Sequence, residues 1–102
     1  MRIEFSEKAL DHLKRIIDSH LDYSGERSAL KFSSQLDDRL NLLLRFPESG
    51  HPEPLLKGRA IFYRAKIINK HYKLIYFVDE DVIRVAAIWD MRMNPARLSK
   101  MI

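Results

Sequence analysis

The sequence contains no cysteine among its 102 residues, which excludes disulfide bonds and thiolate metal sites. Small secreted domains often depend on disulfides, so this absence favours a cytoplasmic location. No apolar stretch approaches the roughly 20 residues of a membrane-spanning helix, and the first residues lack the apolar run of a signal peptide. We therefore expect neither a membrane anchor nor a secretory leader. The sequence also contains no internal repeat and no low-complexity tract.

Hydrophobic residues make up 46% of the chain, which is enough for one core. The length is that of one small domain, which we assign to residues 1–102. The formal net charge is +4. A mildly basic domain is compatible with nucleic acid, with an RNA-covered ribosome surface or with an acidic protein partner, and the charge alone does not choose among them.

The first half of the chain predicts a short strand followed by two helices. Residues 2–5 alternate polar and apolar side chains, and Ser6 is a suitable N-cap for the segment that follows. Apolar residues then recur at helical spacing in two stripes, separated by a break at residues 22–25 in which Ser24 can cap the second helix. Pro47 ends that helix, and the short break predicts an antiparallel helical hairpin.

The second half predicts an antiparallel meander. Strands are expected at residues 59–68, 72–78 and 82–89, and the last is apolar at nearly every position, as in a strand covered on both faces. Pro95 can open a short C-terminal helix over residues 96–102. The predicted fold class is therefore α+β, in the order β-α-α-β-β-β, with the helical hairpin packed on a small antiparallel sheet and a short helix at the end.

The long loop predicted at residues 47–58 contains two side chains that can exchange protons near neutral pH or below. They are His51 and Glu53, which are possible acid–base groups. Proline and glycine punctuate the loop, so we expect both side chains simply to be solvated.

Positive charges gather on one predicted face of the sheet. With a turn at residues 69–70, Lys66 falls directly opposite Lys73, and Arg64 lies on the same face two residues along. Like charges that face each other are unfavourable, so we expect an anion such as a phosphate backbone above them. Exposed rings such as Phe62 can add stacking to this charge. The alternative is that these cations only solubilise an otherwise apolar face.

Three segments carry a family resemblance. They are Tyr63-Arg64-Ala65-Lys66, Tyr72-Lys73-Leu74-Ile75-Tyr76 and Ile88-Trp89-Asp90-Met91-Arg92-Met93-Asn94-Pro95. Together with the element order, they resemble the RelE/ParE superfamily of bacterial toxins, which belong to type II toxin–antitoxin modules. The first is similar to the basic strand of RelE-like ribonucleases, and the second to a Tyr-Arg-hydrophobic-hydrophobic-Tyr strand. The third is similar to a closing Ile-x-His-x-Arg-Arg-x-Pro segment, and the likeness extends over essentially the whole chain.

The resemblance implies one of two activities. RelE-like members enter the ribosomal A site and cleave the mRNA there, whereas ParE-like members share the fold and poison DNA gyrase without enzymatic activity. A third hypothesis is a chain that has lost toxicity and only binds its partner. The resemblance implies an antitoxin protein as that partner, in a toxin–antitoxin hetero-oligomer, and it implies no cofactor and no metal.

A partner is also predicted from the sheet itself. The apolar face between the cations, with Trp89 and the short C-terminal segment, is larger than a lone small domain should expose. An amphipathic partner segment can cover this face or the helical hairpin, and an acidic segment would associate quickly with a basic toxin.

The resemblance places Arg64, Lys66 and Lys73 at basic positions of the RelE-like cleavage site. In that reaction an RNA 2′-hydroxyl attacks the adjacent phosphate, which requires a base, an acid and cations around the phosphorane. Arg64 and Lys73 would stabilise the phosphate, and Lys66 would serve as base if neighbouring cations lowered its pKa. Arg92, just past the last strand, would be a second phosphate clamp.

Other positions depart from the RelE-like pattern. Asp90 stands where many members have histidine, and Met93 replaces one common arginine. Met91 and Arg97 stand near the positions of a catalytic arginine and a catalytic tyrosine. Asp90 can act as a base or can order the C-terminal tail, and its charge repels phosphate. The catalytic set is therefore incomplete, and gyrase poisoning stays open as the alternative.

Overall fold

The computed structural model describes residues 1–102, which form a five-stranded sheet with a helical hairpin on one face. The elements are β1 (Arg2–Phe5), α1 (Glu7–Tyr23), α2 (Glu26–Arg45), β2 (His51–Pro52), a short 3-10 helix (Pro54–Leu56), β3 (Arg64–Ile67), β4 (Tyr72–Asp79), β5 (Val82–Asp90) and α3 (Ala96–Met101). The strand order in the sheet is β1-β5-β4-β3-β2. β1 pairs with β5 in parallel, and the other neighbours pair antiparallel. The predicted α+β class and element order are confirmed, and β2 is an additional strand at the edge.

The hairpin of α1 and α2 reverses within two residues. The Ser6 side chain accepts a hydrogen bond from the Ala9 N–H at 3.0 Å, which confirms the predicted N-cap of α1. The prediction that Ser24 caps α2 is wrong, because Ser24 is the C-cap of α1 and Gly25 precedes α2. Gly25 has φ +93°, a conformation that residues with a side chain rarely adopt, so glycine permits this tight reversal. None of the helices is long and apolar enough to span a membrane.

The main core lies between the helical hairpin and one face of the sheet. Phe32 and Leu43 of α2 are fully buried there, against Leu74 and Tyr76 of β4. Alternate residues of β4 therefore face the hairpin, as the sequence predicts. Burial of each such large apolar side chain contributes roughly 1.5–3 kcal/mol relative to its exposure.

A second, smaller core covers the opposite face of the sheet. Its buried side chains come from the 3-10 helix, the three central strands and α3, and they are Leu56, Ala65, Ile75, Ala87, Trp89 and Leu98. The prediction that this face is exposed together with Trp89 is wrong. Trp89 is only 5% exposed, because α3 and the loop that precedes β3 both fold over it. β5 is accordingly buried on both faces, as its apolar sequence predicts.

β3 is shorter than the predicted strand over residues 59–68. Residues 59–63 run instead as an irregular segment along the second core. The Glu53 N–H donates to the carbonyl oxygen of Tyr63 at 3.0 Å, and the Arg59 guanidinium donates to the carbonyl oxygen of Ser99 in α3. The Arg59 bond holds the segment against α3, and the Tyr63 ring packs edge-to-face against Phe77 of β4.

Candidate functional site

The turn between β3 and β4 determines where the predicted site residues lie. Asn69 Oδ1 accepts hydrogen bonds from the backbone N–H groups of His71 at 2.8 Å and Tyr72 at 3.1 Å. Asparagine commonly closes turns in this way, and here the turn is one residue longer than predicted. As a result, the strands pair Lys66 with Leu74.

This register places Lys66 and Lys73 on opposite faces of the sheet. Lys73 pairs with Ile67 in β3 and with Trp89 in β5, so its side chain belongs to the side of the second core. Lys66, together with Arg64, belongs to the side of the helical hairpin. A change of register by one residue moves every side chain to the other face. The prediction that Lys66 faces Lys73, with Arg64 beside them, is therefore wrong.

Arg64 and Lys66 both bind the segment that follows α2. Arg64 Nη1 donates to the carbonyl oxygens of Glu48 at 3.1 Å and Gly50 at 2.9 Å. Lys66 Nζ donates to Ser49 Oγ at 3.1 Å. The two cations thus hold the start of the predicted loop against the sheet.

Lys73 forms a buried ion pair with Glu53. Its ammonium contacts both carboxylate oxygens, with 3.0 Å between Nζ and Oε2. The Glu53 side chain is 0% exposed and that of Lys73 is 12% exposed. The prediction that Glu53 is solvated is wrong. The 3-10 helix that follows Glu53 packs Leu56 into the second core, and Glu53 is buried beside it. A buried carboxylate without a partner is strongly destabilising, so the Lys73 ammonium is committed to Glu53.

Asp90 and Arg92 form a bidentate ion pair where β5 ends. Arg92 Nε lies 2.9 Å from Oδ1 and Nη2 lies 3.0 Å from Oδ2, and the Arg92 backbone N–H donates to Oδ1 at 2.9 Å. The hydrogen bonds from the Arg92 side chain hold the pKa of Asp90 below its ordinary value, and the same bonds raise the pKa of Arg92. Arg92 also lies over the Tyr72 ring, 5.6 Å from its centroid. This geometry supports the tail-ordering role of Asp90.

A groove of about 430 Å³ lies between α1, the end of β5 and the C-terminal segment, where no site was predicted. Arg15 and Arg97 line it on either side, and Met93 adds apolar surface. His12 also lines it, and His12 Nδ1 accepts a hydrogen bond from the Ile88 N–H at 3.2 Å. Burial lowers the pKa of His12, which favours the neutral imidazole that this bond requires. His12 could have been found from the sequence, because it lies one helical turn before a buried apolar residue, on the face of α1 that packs on the sheet.

The four predicted catalytic cations do not converge on a common point. Arg64 and Lys66 bind the loop after α2, Lys73 binds Glu53 on the other face, and Arg92 binds Asp90. His51, the other candidate acid–base group, is exposed as predicted and lies in β2. No group of three or more histidine, aspartate or glutamate side chains is arranged to hold a metal ion.

Known proteins resemble this chain over most of its length. A family model described as "ParE toxin of type II toxin-antitoxin system, parDE" matches residues 3–95. A solved structure titled "Chromosomal ParDE TA system from P. aeruginosa" contains a chain with a TM-score of 0.70 and 19% sequence identity, over 88% of this chain and 95% of that one. A YoeB dimer from Staphylococcus aureus gives a TM-score of 0.58 and 22% identity, over 85% and 92% of the two chains.

No curated protein is a significant sequence match. Identities this low show a shared fold and nothing finer, since one fold supports several functions. The family model rests instead on the sequence, and it extends from β1 to the start of α3. The chain therefore belongs to the ParE toxin family of type II toxin–antitoxin systems.

Proposed function

We propose that this toxin inhibits growth by binding DNA gyrase in the bacterial cytoplasm, and that it does not cleave RNA. The observation that carries the proposal is the dispersal of the four cations over two faces of the sheet. RNA cleavage requires a base, an acid and cations to converge on one phosphate. Membership of the ParE family supports gyrase as the target, because ParE-like members poison gyrase without enzymatic activity.

The ion pairs support a toxin that acts by binding. The role of Lys66 as a base depended on neighbouring cations, and Lys73 lies on the far side of the sheet in a buried pair with Glu53. Arg92 as a phosphate clamp would have to release Asp90, whose carboxylate otherwise repels the phosphate. Bringing these groups together would require breaking both pairs and changing the register of β3.

The groove between α1, β5 and α3 is our candidate site for the antitoxin, the protein partner that a type II module includes. Its apolar floor suits the apolar face of an amphipathic segment, and Arg15 and Arg97 suit acidic side chains beside that face.

Replacing Arg15 and Arg97 with glutamate should therefore weaken the complex with the cognate antitoxin, while the same change at the exposed Lys14 and Lys57 should not.

The test of the target is induced expression in a bacterium that lacks the antitoxin, with separate labelling of DNA and protein synthesis. We expect DNA synthesis to fall first, and the purified protein to block supercoiling by purified gyrase. Lys66→Ala should leave toxicity unchanged, as should Lys14→Ala, a matched exposed lysine that lies away from the sheet.

Two other outcomes would each reject this proposal. An early fall in protein synthesis, with new mRNA ends that disappear in Lys66→Ala, would establish the RelE-like alternative. Normal growth with abundant folded protein would establish a chain that only binds its antitoxin. Lys73 is unsuitable for this test because its loss disturbs the fold itself.

A further inference from the structure

A polar cleft of about 480 Å³ lies between α2 and the turn that joins β3 to β4. Two lysines, two histidines, two amide side chains and one serine line it, and no aspartate or glutamate does. Tyr72 lines both this cleft and the groove described above, so the two depressions are neighbours. The chain carries 14 acidic residues, and their absence from this lining leaves the cleft with positive charge alone.

The floor and wall of the cleft are built by one face of α2. Three residues follow Ser28 at spacings of three, four and seven, and therefore lie along the same side of the helix; they are Lys31, Phe32 and Gln35. Phe32 is 1% exposed and packs edge-to-face against Tyr72, with 5.3 Å between ring centroids. This aromatic contact fixes the helix against the turn, so the polar groups above it have a rigid support.

The amide oxygens of the cleft are already used within the protein. Gln35 Oε1 accepts a hydrogen bond from Asn69 Nδ2 at 3.0 Å, and Asn69 Oδ1 accepts from the backbone N–H groups of His71 and Tyr72. The amide NH₂ group of Gln35 and the second amide hydrogen of Asn69 remain as donors. The cleft therefore offers donors to a ligand while its strongest acceptors are taken.

Lys31 and Lys70 are exposed at the cleft and have no partner in the structure. Neither takes part in an ion pair, and neither donates a hydrogen bond to another side chain or to a carbonyl oxygen. Lys66 and Lys73, in contrast, are both engaged within the fold. Two free ammonium groups beside several neutral donors match an anion that accepts several hydrogen bonds through its oxygens and donates none.

We propose that this cleft binds a phosphate group, with Lys31 and Lys70 as its charged contacts. The phosphate belongs either to a small phosphorylated molecule or to the backbone of a nucleic acid, which present the same oxygens. The proposal does not depend on which target the toxin inhibits, because Lys31 and Lys70 are not among the four predicted catalytic cations.

The experiment is a titration of the intact ¹⁵N-labelled protein with sodium pyrophosphate, followed by amide chemical shifts. We expect saturable shifts confined to the residues around the cleft. The double variant Lys31→Gln with Lys70→Gln should bind pyrophosphate at least about tenfold more weakly, because two charge-assisted contacts are lost. The control is Lys57→Gln with Lys100→Gln, which removes the same charge from exposed positions outside the cleft and should change affinity by less than about twofold.

A short DNA duplex then identifies the source of the phosphate. If the duplex binds at the cleft, the slope of log affinity against log salt should be smaller by about two in the Lys31→Gln, Lys70→Gln variant, one for each lost phosphate contact. Binding of pyrophosphate without the duplex would identify a small phosphorylated ligand. Shifts spread over the whole basic surface, equal losses in both double variants, or no saturable binding of either probe would overturn the proposal.

Discussion

At the scale of single residues, the fate of Lys73 follows from the burial of Glu53. A lysine in this sequence position suggests a free cation on a sheet surface, but the structure places a carboxylate with no exposed surface against it. The cost of an unpaired buried charge exceeds the benefit of a solvated ammonium, so the lysine stays with its partner. A residue that resembles part of a catalytic site thus serves to anchor the loop before β3.

The buried pair predicts an asymmetric response to mutation. Lys73→Met should destabilise the fold by about 3–5 kcal/mol, because it leaves the Glu53 carboxylate buried without a partner. Adding Glu53→Gln should restore a large part of that loss, since the remaining group is neutral. Lys66→Met, which breaks only a contact with a serine hydroxyl, should cost under about 1.5 kcal/mol. Urea denaturation measures all three, and equal losses for Lys66→Met and Lys73→Met would contradict the burial of the pair.

His12 predicts a loss of stability in mild acid. Burial lowers its pKa in the folded chain, whereas an unfolded histidine has a pKa of about 6.5. The unfolded state therefore binds the proton more readily, so the contribution is complete above the unfolded pKa and is lost as pH falls through the folded pKa. Denaturation midpoints should fall between about pH 7.5 and about pH 5, and should fall less in His12→Asn, which keeps an acceptor but does not titrate. The same decline in both proteins would assign the effect to other groups.

At the scale of elements, apolar spacing was sufficient to predict α1, α2, β4 and β5, because each buries a wide or continuous apolar surface. It was insufficient for β3. This strand alternates two cations with Ala65 and Ile67, and the pattern is compatible with either face of the sheet. Which face each side chain of β3 takes depends on the turn, where the Asn69 side chain accepts a backbone hydrogen bond. Hydrophobic periodicity carries no information about this bond. The pairing and burial of Glu53 could likewise not be predicted from the sequence, because they depend on contacts between segments that are distant along the chain.

Besides Arg64 and Lys66, one tyrosine of β4 holds the segment after α2. Tyr76 Oη accepts a hydrogen bond from the Gly50 N–H at 2.9 Å and donates one to the carbonyl oxygen of Pro47 at 2.8 Å. Tyr76→Phe should cost about 1–3 kcal/mol, because two polar backbone groups lose their partner. Tyr63→Phe is the control, since the Tyr63 hydroxyl has no protein partner, and it should lie within about 0.5 kcal/mol of the wild type. A small loss at Tyr76 would mean that water replaces the hydroxyl.

At the scale of the whole molecule, two cores share one sheet. The helical hairpin covers one face, and α3 with the 3-10 helix covers the other. A sheet buried on both sides offers no large apolar surface of its own, and the two binding sites that we propose lie in depressions beside the layers. The groove next to α1 and the cleft next to α2 are two such depressions, and Tyr72 lines both.

The closure of the second core by α3 can be measured through the only tryptophan of the chain. Leu98 is 0% exposed and packs in the same cluster as Trp89. Leu98→Ala should destabilise the protein by about 2–5 kcal/mol, because it leaves a cavity in the core. The native fluorescence of Trp89 should also shift to the red as water gains access. Lys100→Ala, an exposed neighbour in α3, should change neither property, and an unshifted emission in Leu98→Ala would show that α3 does not seal this face.

The parallel pairing of β1 with β5 has a consequence for the order in which the molecule is made. Residues 2–5 pair with residues 82–85, so β1 is synthesised about 80 residues before the strand with which it pairs. Contacts so distant along the chain are formed late and slow the folding reaction. A translation product that stops before β5 lacks the strand that joins β1 to the rest of the sheet. We therefore expect premature termination at any codon before residue 82 to yield a harmless fragment.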